Sequence, residues 1–433
     1  MAESPKSLTI RMYNVGFGDC FLLTFAYSSA NRYVLVDFGS TSAPKKGPKN
    51  YMQRIADDIK KECGGKLHAL VATHRHRDHI SGFSTDAGTG KVIASLNPDH
   101  VIQPWTEDPK AKTTALTATS SIYAKGKPDA TKLTAHFLAS LEDMHRVAGV
   151  ALQLSANPNV AGEETRAQLQ FLGEDNLTNL SAVKNLMAMG KKAKAYYVSA
   201  EMKLNILPGV QTTVLGPPTL KQSNAIRKER SKDPSEFWQF RSFWASQRLA
   251  MTGTNGRAAA MRRANGHLRA SSTPPNVRWF LRQTRQLHGD QLLELVRDLD
   301  TVMNNTSVIL LFEIGKHKLL FPGDAQIENW AFALNNRKWT QLLADVNLYK
   351  VGHHGSLNAT PKSLWALFKN KDKSKQKELK TLCSTKAGKH GSVKSGTEVP
   401  RRILADELGK HSDFDSTENF RPDELCREYT IVF

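Results

Sequence analysis

The chain opens on Leu8-Thr9-Ile10-Arg11-Met12-Tyr13, where apolar and polar residues alternate with the two-residue period of a half-buried strand. Val15-Gly16-Phe17-Gly18-Asp19-Cys20 reads as a Gly-rich turn, and Phe21 to Phe25 as its return strand. Tyr33 to Asp37 is a third strand. Met52 to Lys61 carries Ile55 and Ile59 four residues apart, the spacing of an amphipathic helix. The apolar run Leu67 to Ala72 predicts a buried strand, and Val101 to Pro109 a strand running into a polar end. Short strands follow at Tyr196–Ser199, Met202–Ile206 and Thr212–Pro218, each ending in turn residues. Val308 to Ile314 and Lys318 to Phe321 form a predicted hairpin. Ala325 to Leu334 reads as a helix, Asp345 to Val351 and Lys380 to Ser384 as buried strands, Arg401 to Leu408 as a helix, and Tyr429 to Phe433 as a closing strand. Thr131 to Val150, Asn179 to Met189 and Leu292 to Val302 carry helical patterns. Strands mixed with helices in this way predict an α/β fold. We read one domain over 1–433, with a helical insertion at 110–195, a second insertion at 221–295, and 366–433 completing the sheets.

Charge sharpens the picture. Lys and Arg number 60 against 41 Asp and Glu, a formal net charge of +19. Such a balance favours an anionic partner: a nucleic acid, a phosphorylated small molecule or an anionic membrane surface. Residues 221–290 hold 14 Lys/Arg against 4 Asp/Glu, with Phe237, Trp238, Phe240, Phe243, Trp244, Trp279 and Phe280 among them. Cations interleaved with rings suit a nucleic-acid strand, since charge pairs with phosphates and rings stack on bases. Arg257, Arg262, Arg263 and Arg269 are the candidate contacts; the competing reading is an active-site insertion whose rings are core. The four cysteines stand far apart and form no Cys-x-x-Cys pair, so neither a disulfide framework nor a thiolate metal site is expected. No signal-peptide pattern and no apolar run of membrane-spanning length occurs, which makes a cytoplasmic protein without a membrane partner the expectation.

The densest chemistry is Thr73-His74-Arg75-His76-Arg77-Asp78-His79, directly after the Leu67–Ala72 run. Four potential metal ligands fall within six residues at the mouth of a strand. Imidazole and carboxylate together suit zinc, manganese or iron. In an extended chain residues two apart point the same way, so His74 and His76 converge on one metal. Asp78 and His79, beyond the bend, face a second. His136 and His145, alone on a helical pattern, read as structural.

His-x-His-x-Asp-His after a hydrophobic strand resembles the signature of the metallo-β-lactamase fold hydrolases. Further pieces match in order: Asp37 before Phe38-Gly39, Pro322-Gly323-Asp324 after a strand, and Gly352-His353-His354-Gly355-Ser356 after another. The last of these, with Val15-Gly16-Phe17-Gly18-Asp19, resembles the hydrolase domain of bacterial DNA-uptake competence proteins and its free-standing relatives. The resemblance covers roughly residues 7–110, 196–220 and 300–433. It implies a four-layer αββα metallo-β-lactamase sandwich with helical insertions and two divalent metal ions, Zn or Mn. The expected ligands are His74 and His76 on one ion and Asp78, His79 and His353 on the other. Asp324 is the expected bridge, and Asp78 and Asp324 the catalytic carboxylates. Asp37 is expected to hold a ligand histidine by hydrogen bond. Asp19, His354, Ser356 and His390 are expected around the ligands or against substrate, His354 also as a ligand of the first ion; Ser356 or Lys350 is read either on a phosphoryl oxygen or in a structural role.

Two departures stand out. Phe17 occupies the turn where the relatives often carry Gln. No histidine ends the Val101–Pro109 stretch, where a third one is often found; Glu107, Asp108 or His354 is left to substitute. The function implied is a metal-dependent hydrolase using a metal-bridging hydroxide, a phosphodiesterase or nuclease acting on nucleic acid. The alternative is a hydrolase of a small ester, lactone or phosphocholine-type phosphodiester. A nucleic-acid-binding module with a vestigial site is a third reading, which the complete His/Asp set disfavours.

Overall fold

The computed structural model describes residues 3–110, 116–118, 122–123, 148–157, 163–176, 179–223, 225–227, 304–358, 360–372, 379–391, 393 and 398–433. The expected helices at Thr131–Val150, for residues 131–147, and at Leu292–Val302 lie outside these residues, as do His136, His145, Arg257, Arg262, Arg263 and Arg269.

Among the described residues the strands form two mixed sheets, one of eight strands and one of seven. The first begins as an antiparallel meander of β1 (Ser7–Tyr13), β2 (Cys20–Ala26) and β3 (Asn31–Phe38). Three strands then join it in parallel: β4 (Ala69–Val71), β5 (His100–Pro104) and, after the short β6 (Ile122–Tyr123), β7 (Lys194–Val198). The second sheet repeats the plan. An antiparallel run of β8 (Lys203–Leu207), β9 (Val210–Gly216), β10 (Ile309–Ile314) and β11 (His317–Phe321) precedes parallel β12 (Leu348–Lys350), β13 (Lys380–Cys383) and β14 (Asp413–Ser416). The last strand, β15 (Cys426–Val432), returns to pair with β1.

Period-two alternation decides what each strand buries. In β1 and β2, Leu8, Ile10, Met12, Phe21, Leu23 and Phe25 enter an apolar layer that also holds Leu310, Phe312, Phe321, Leu348 and Leu382 of the other sheet. The opposite faces of the first sheet, through Leu22 and Leu35, meet Ile55 and Ile59 of the helix Tyr51–Glu62 and Leu186 of the helix Leu180–Lys192. Leu311, Leu320 and Tyr349 of the second sheet meet Trp330, Leu343 and Leu404 from the helices Ile327–Leu334, Arg337–Ala344 and Arg402–His411. Three apolar layers therefore separate helices, sheet, sheet and helices in an α/β sandwich. No helix among the described residues is long and apolar enough to cross a membrane.

Several elements differ from the sequence reading. The Asp345–Val351 strand shortens to Leu348–Lys350, because the preceding helix ends at Ala344 and the Asn347 side chain turns back to accept from the Lys318 N–H at 2.9 Å. The helices Thr89–Ser95, Glu163–Asn176 and Lys362–Leu367 carry no strong periodicity and were not expected. Strand β14 is too polar to be recognised; at the sheet edge Asp413 pairs with Lys380, and Asp415 with Arg427 at 2.7 Å. All four cysteines are free.

Phe321 ties the two sheets together, its ring edge-on to Phe21 at 5.8 Å and to Phe312 at 6.0 Å. Replacing it by alanine is expected to cost about 3–5 kcal/mol. Denaturant unfolding of both proteins in EDTA measures this, and a loss below 1 kcal/mol contradicts the packing described.

Candidate metal centre

Parallel pairing aligns strand ends. The carboxyl ends of β3 and β4 sit side by side in one sheet, those of β11, β12 and β13 in the other, and each leads into a loop carrying polar residues. Crevices outside the carboxyl ends of parallel strands are where ligands collect in α/β sheets. Here β3 delivers Asp37, β4 delivers His74, β11 delivers Asp324, β12 delivers His353 and His354, and β13 delivers Ser384.

Local geometry holds these loops close. Asp78 and His79 lie on the short helix Arg77–Ile80. A Cβ on Gly39 would sit 2.4 Å from the Asp78 carbonyl carbon and 2.4 Å from the His79 nitrogen, so only glycine lets β3 approach that helix. Asp324 follows Gly323, whose φ of 55° belongs to the left-handed region that glycine enters without strain.

The side chains form overlapping groups. Asp78, His79, Asp324 and His354 each offer a ligand atom within 4.8 Å of the others, and so do His74, His76 and Asp78. Asp19, Asp37 and His79 form a third such group. These residues are buried, His74 at 2% exposure and His354 at 0%. The His74 Nε2 and His76 Nδ1 atoms are 3.0 Å apart. Two ligands each about 2.1 Å from one tetrahedral ion are about 3.4 Å apart, within a few tenths of an ångström of this separation. Buried His/Asp groups thus lie at metal-binding distance and could hold metal ions.

Hydrogen bonds orient the imidazoles. His79 Nδ1 donates to Asp37 Oδ2 at 2.8 Å, leaving Nε2 2.9 Å from Asp324 Oδ2. His354 Nδ1 donates to the Ser384 carbonyl at 2.8 Å, leaving Nε2 2.9 Å from Asp78 Oδ2. Fixing one ring nitrogen by an outer acceptor and aiming the other at the ion is the usual arrangement around metals. Asp37 is itself held: it accepts from the Thr73 N–H at 2.8 Å and the Thr73 hydroxyl at 2.7 Å. Asp78 Oδ1 is buried with no hydrogen-bond partner.

The electrostatics demand positive charge. Burial disfavours an imidazolium at His79, yet Asp324, Asp37, Asp78 and Asp19 together raise it well above the ordinary value. Burial holds His76 down to about 4, so its lone pairs stay available. Lys350 is buried too; it is paired with Asp19, lies 3.6 Å from Asp324 Oδ1 and donates to the Gly323 carbonyl at 3.3 Å. Four buried carboxylates meet one ammonium, Lys350, and draw protons onto His79 and His354, so the site carries excess negative charge whenever those rings are neutral. Such an excess is costly without cations, and the donor set of imidazole and carboxylate fits Zn or Mn.

Several expectations need correction. His354, not His353, joins Asp78, His79 and Asp324. Both residues adopt left-handed angles, φ 41° and 54°, in a tight turn that sends the second ring inward. His353 instead donates its backbone N–H to Asp324 Oδ1 at 3.1 Å, with its Nε2 4.0 Å from Oδ2. The carboxylate common to the two principal groups is Asp78 rather than Asp324. Glu107 does not replace a third histidine: it faces Arg75 at 3.3 Å, and Asp108 accepts from the Lys110 N–H at 2.9 Å. Lys350 is buried beneath the site, and Ser356 is buried with its hydroxyl toward Asn358 at 3.4 Å. His390 stands behind the Phe17 ring, which lies 4.3 Å from it and 4.4 Å from His354. The sequence reading does not single out Thr73 and Ser384, and of its two readings of Lys350 the structural one describes the buried pairing with Asp19. A lysine in an otherwise apolar strand was the available signal, since a buried ammonium survives beside carboxylates.

No protein-family model matches the chain, and no curated protein matches it.

Alanine at Asp37 frees His79 to rotate. Metal affinity is expected to fall about 10–100-fold, read as ion content by mass spectrometry after dialysis against graded chelator. His354→Ala is expected to lose an ion that His353→Ala retains; equal retention by both would contradict the grouping.

Proposed function

We propose that the chain is a dinuclear metal-dependent hydrolase of the metallo-β-lactamase type, a phosphodiesterase whose substrate is nucleic acid. The observation that carries this reading is the pair of Nε2 atoms of His79 and His354, each aimed at a carboxylate with its Nδ1 proton already committed elsewhere. The layered sandwich and the ordered motifs at Asp37, His74–His79, Asp324 and His354 support it. The net charge of +19 favours a polyanionic substrate.

Asp78, His79, Asp324, His354, His74 and His76 would hold the cations, which would supply Lewis acidity and a hydroxide nucleophile near neutral pH. The chain's own residues do the rest. Asp37 and the Ser384 carbonyl fix the tautomers and the aim of His79 and His354. Asp78 and Asp324 supply the negative charge that holds cations in a buried pocket. Lys350 neutralises Asp19 and ties down the turn bearing Asp324. Among the site histidines, His353 is the one that solvent reaches, with its side chain 18% exposed beside Asp324. Burial lowers its affinity for a proton, so its neutral ring would take a proton at the reacting oxygens rather than give one.

Purified protein with Mn or Zn is expected to cleave single- or double-stranded DNA or RNA, while EDTA or Asp324→Ala abolishes cleavage. Hydrolysis of a generic ester or lactone with none of any nucleic acid would replace this reading by the small-substrate one. His353→Ala is expected to keep its metal yet turn over about 10²–10⁴-fold more slowly; an unchanged rate removes His353 from proton transfer.

A further inference from the structure

A cavity of about 270 Å³ opens beside the metal centre, lined in part by Gly16, Lys45, Lys46, Thr385, Lys386 and Glu418. It touches the site at two seams. Gly16 precedes Phe17, whose ring packs on His354 at 4.4 Å. Thr385 follows Ser384, whose carbonyl receives the His354 Nδ1 proton at 2.8 Å and whose hydroxyl donates to the Gly18 carbonyl at 2.5 Å. Consecutive Cα atoms are about 3.8 Å apart, so the cavity begins within a few ångström of the groups that hold His354.

Its wall is fixed and basic. Lys386 donates to Ser42 Oγ at 2.8 Å and to the Ala43 carbonyl at 2.5 Å, which clamps the Thr41–Lys46 loop over the Gly-rich turn. The backbone backs the clamp, with the Phe17 N–H donating to the Ser42 carbonyl at 2.8 Å. Lys45 and Lys46 are exposed on that loop. Glu418, also exposed, is the single carboxylate of the lining, against three lysines. Burial, together with the nearby charges of Lys389 and Lys45, pushes the Lys386 ammonium below its usual value. Crowded cations of this kind are relieved by a bound anion.

We propose that this cavity is a phosphate subsite that takes a backbone phosphate of the substrate strand next to the diester at the metals, with Lys45 and Lys46 as its contacts and Lys386 as the clamp that sets them. The proposal rests on the phosphodiesterase reading and extends it: the substrate is an oligo- or polynucleotide, not an isolated diester. Neighbouring phosphates occur in every strand and in no small ester, so the subsite selects polymers without reading bases.

The test uses the full chain and the double variant Lys45→Gln/Lys46→Gln, with Lys45→Arg/Lys46→Arg as the charge-retaining control. Binding of a fluorescein-labelled ten-residue oligothymidylate is followed by anisotropy in EDTA across a salt series. The glutamine variant is expected to bind about tenfold more weakly, with a salt slope smaller by about 1.4, two contacts at about 0.7 each for a single strand. The arginine variant is expected to recover the affinity. With Mn, the ratio of kcat/KM for the oligonucleotide to that for bis-p-nitrophenyl phosphate is expected to fall at least tenfold in the glutamine variant, through KM. Equal affinity, slope and ratio for wild type and the glutamine variant would overturn the subsite while leaving the phosphodiesterase reading intact. If wild type hydrolyses neither compound, that reading fails, and the EDTA binding series alone decides the cavity.

Discussion

The structure depends on an unbalanced charge. Asp19, Asp37, Asp78 and Asp324 are buried around His79 at the junction of the two sheets, and Lys350 is the one buried ammonium that answers them among the described residues. Removing a carboxylate from water costs several kcal/mol unless opposite charge replaces the lost hydration. A fold that gathers four of them within reach of three more imidazoles carries that cost in its core, and a metal ion held there would offset it. The same imbalance explains why Lys350 is inside: it pairs with Asp19, whose other cationic neighbours are the His79 and His354 rings at 3.6 and 3.7 Å.

That gathering is possible because of how the strands run. Each sheet changes from antiparallel meander to parallel pairing part of the way across. The parallel halves bring the carboxyl ends of β3, β4, β11, β12 and β13 to one edge of the sandwich. Apolar packing of Phe21, Phe312 and Phe321 presses the sheets together, and the loops beyond those residues converge as a consequence. The Gly39 contact and the left-handed turn at His353-His354 then set the last few ångström. Rigid strands carry the ligands, and hydrogen bonds from Asp37 and Ser384 fix the rings, so few side-chain rotations remain to be frozen when an ion binds.

The cavity at Lys45, Lys46 and Lys386 follows from the same frame. Its walls are the Gly-rich turn after β1, the loop after β3 and the ends of β13 and β14. Three of these four also position the metal centre. Phe17 links the two regions physically, since its ring fills the space between His354 and His390 while its neighbour Gly16 lines the cavity.

Most strands and the principal helices were legible in the sequence, because period-two and period-four burial leaves its trace in residue type. The ligand loops were legible for a related reason: polar residues directly after apolar strands, such as His74 to His79 and Asp324, have little cause to be there except chemistry. The polar edge strand Asp413–Ser416 was not legible, since its partners Lys380 and Arg427 are brought to it only by folding. Nor were the inward turn of His354, the sharing of Asp78 between two groups, the pairing of Arg75 with Glu107, or the sequestration of Lys350. Sequence determines which side chains can carry charge or coordinate a cation and where strands end. Which of two adjacent histidines points inward depends on backbone dihedrals, and which buried charges meet depends on the packing of two sheets; both are properties of three-dimensional closure that no linear spacing encodes.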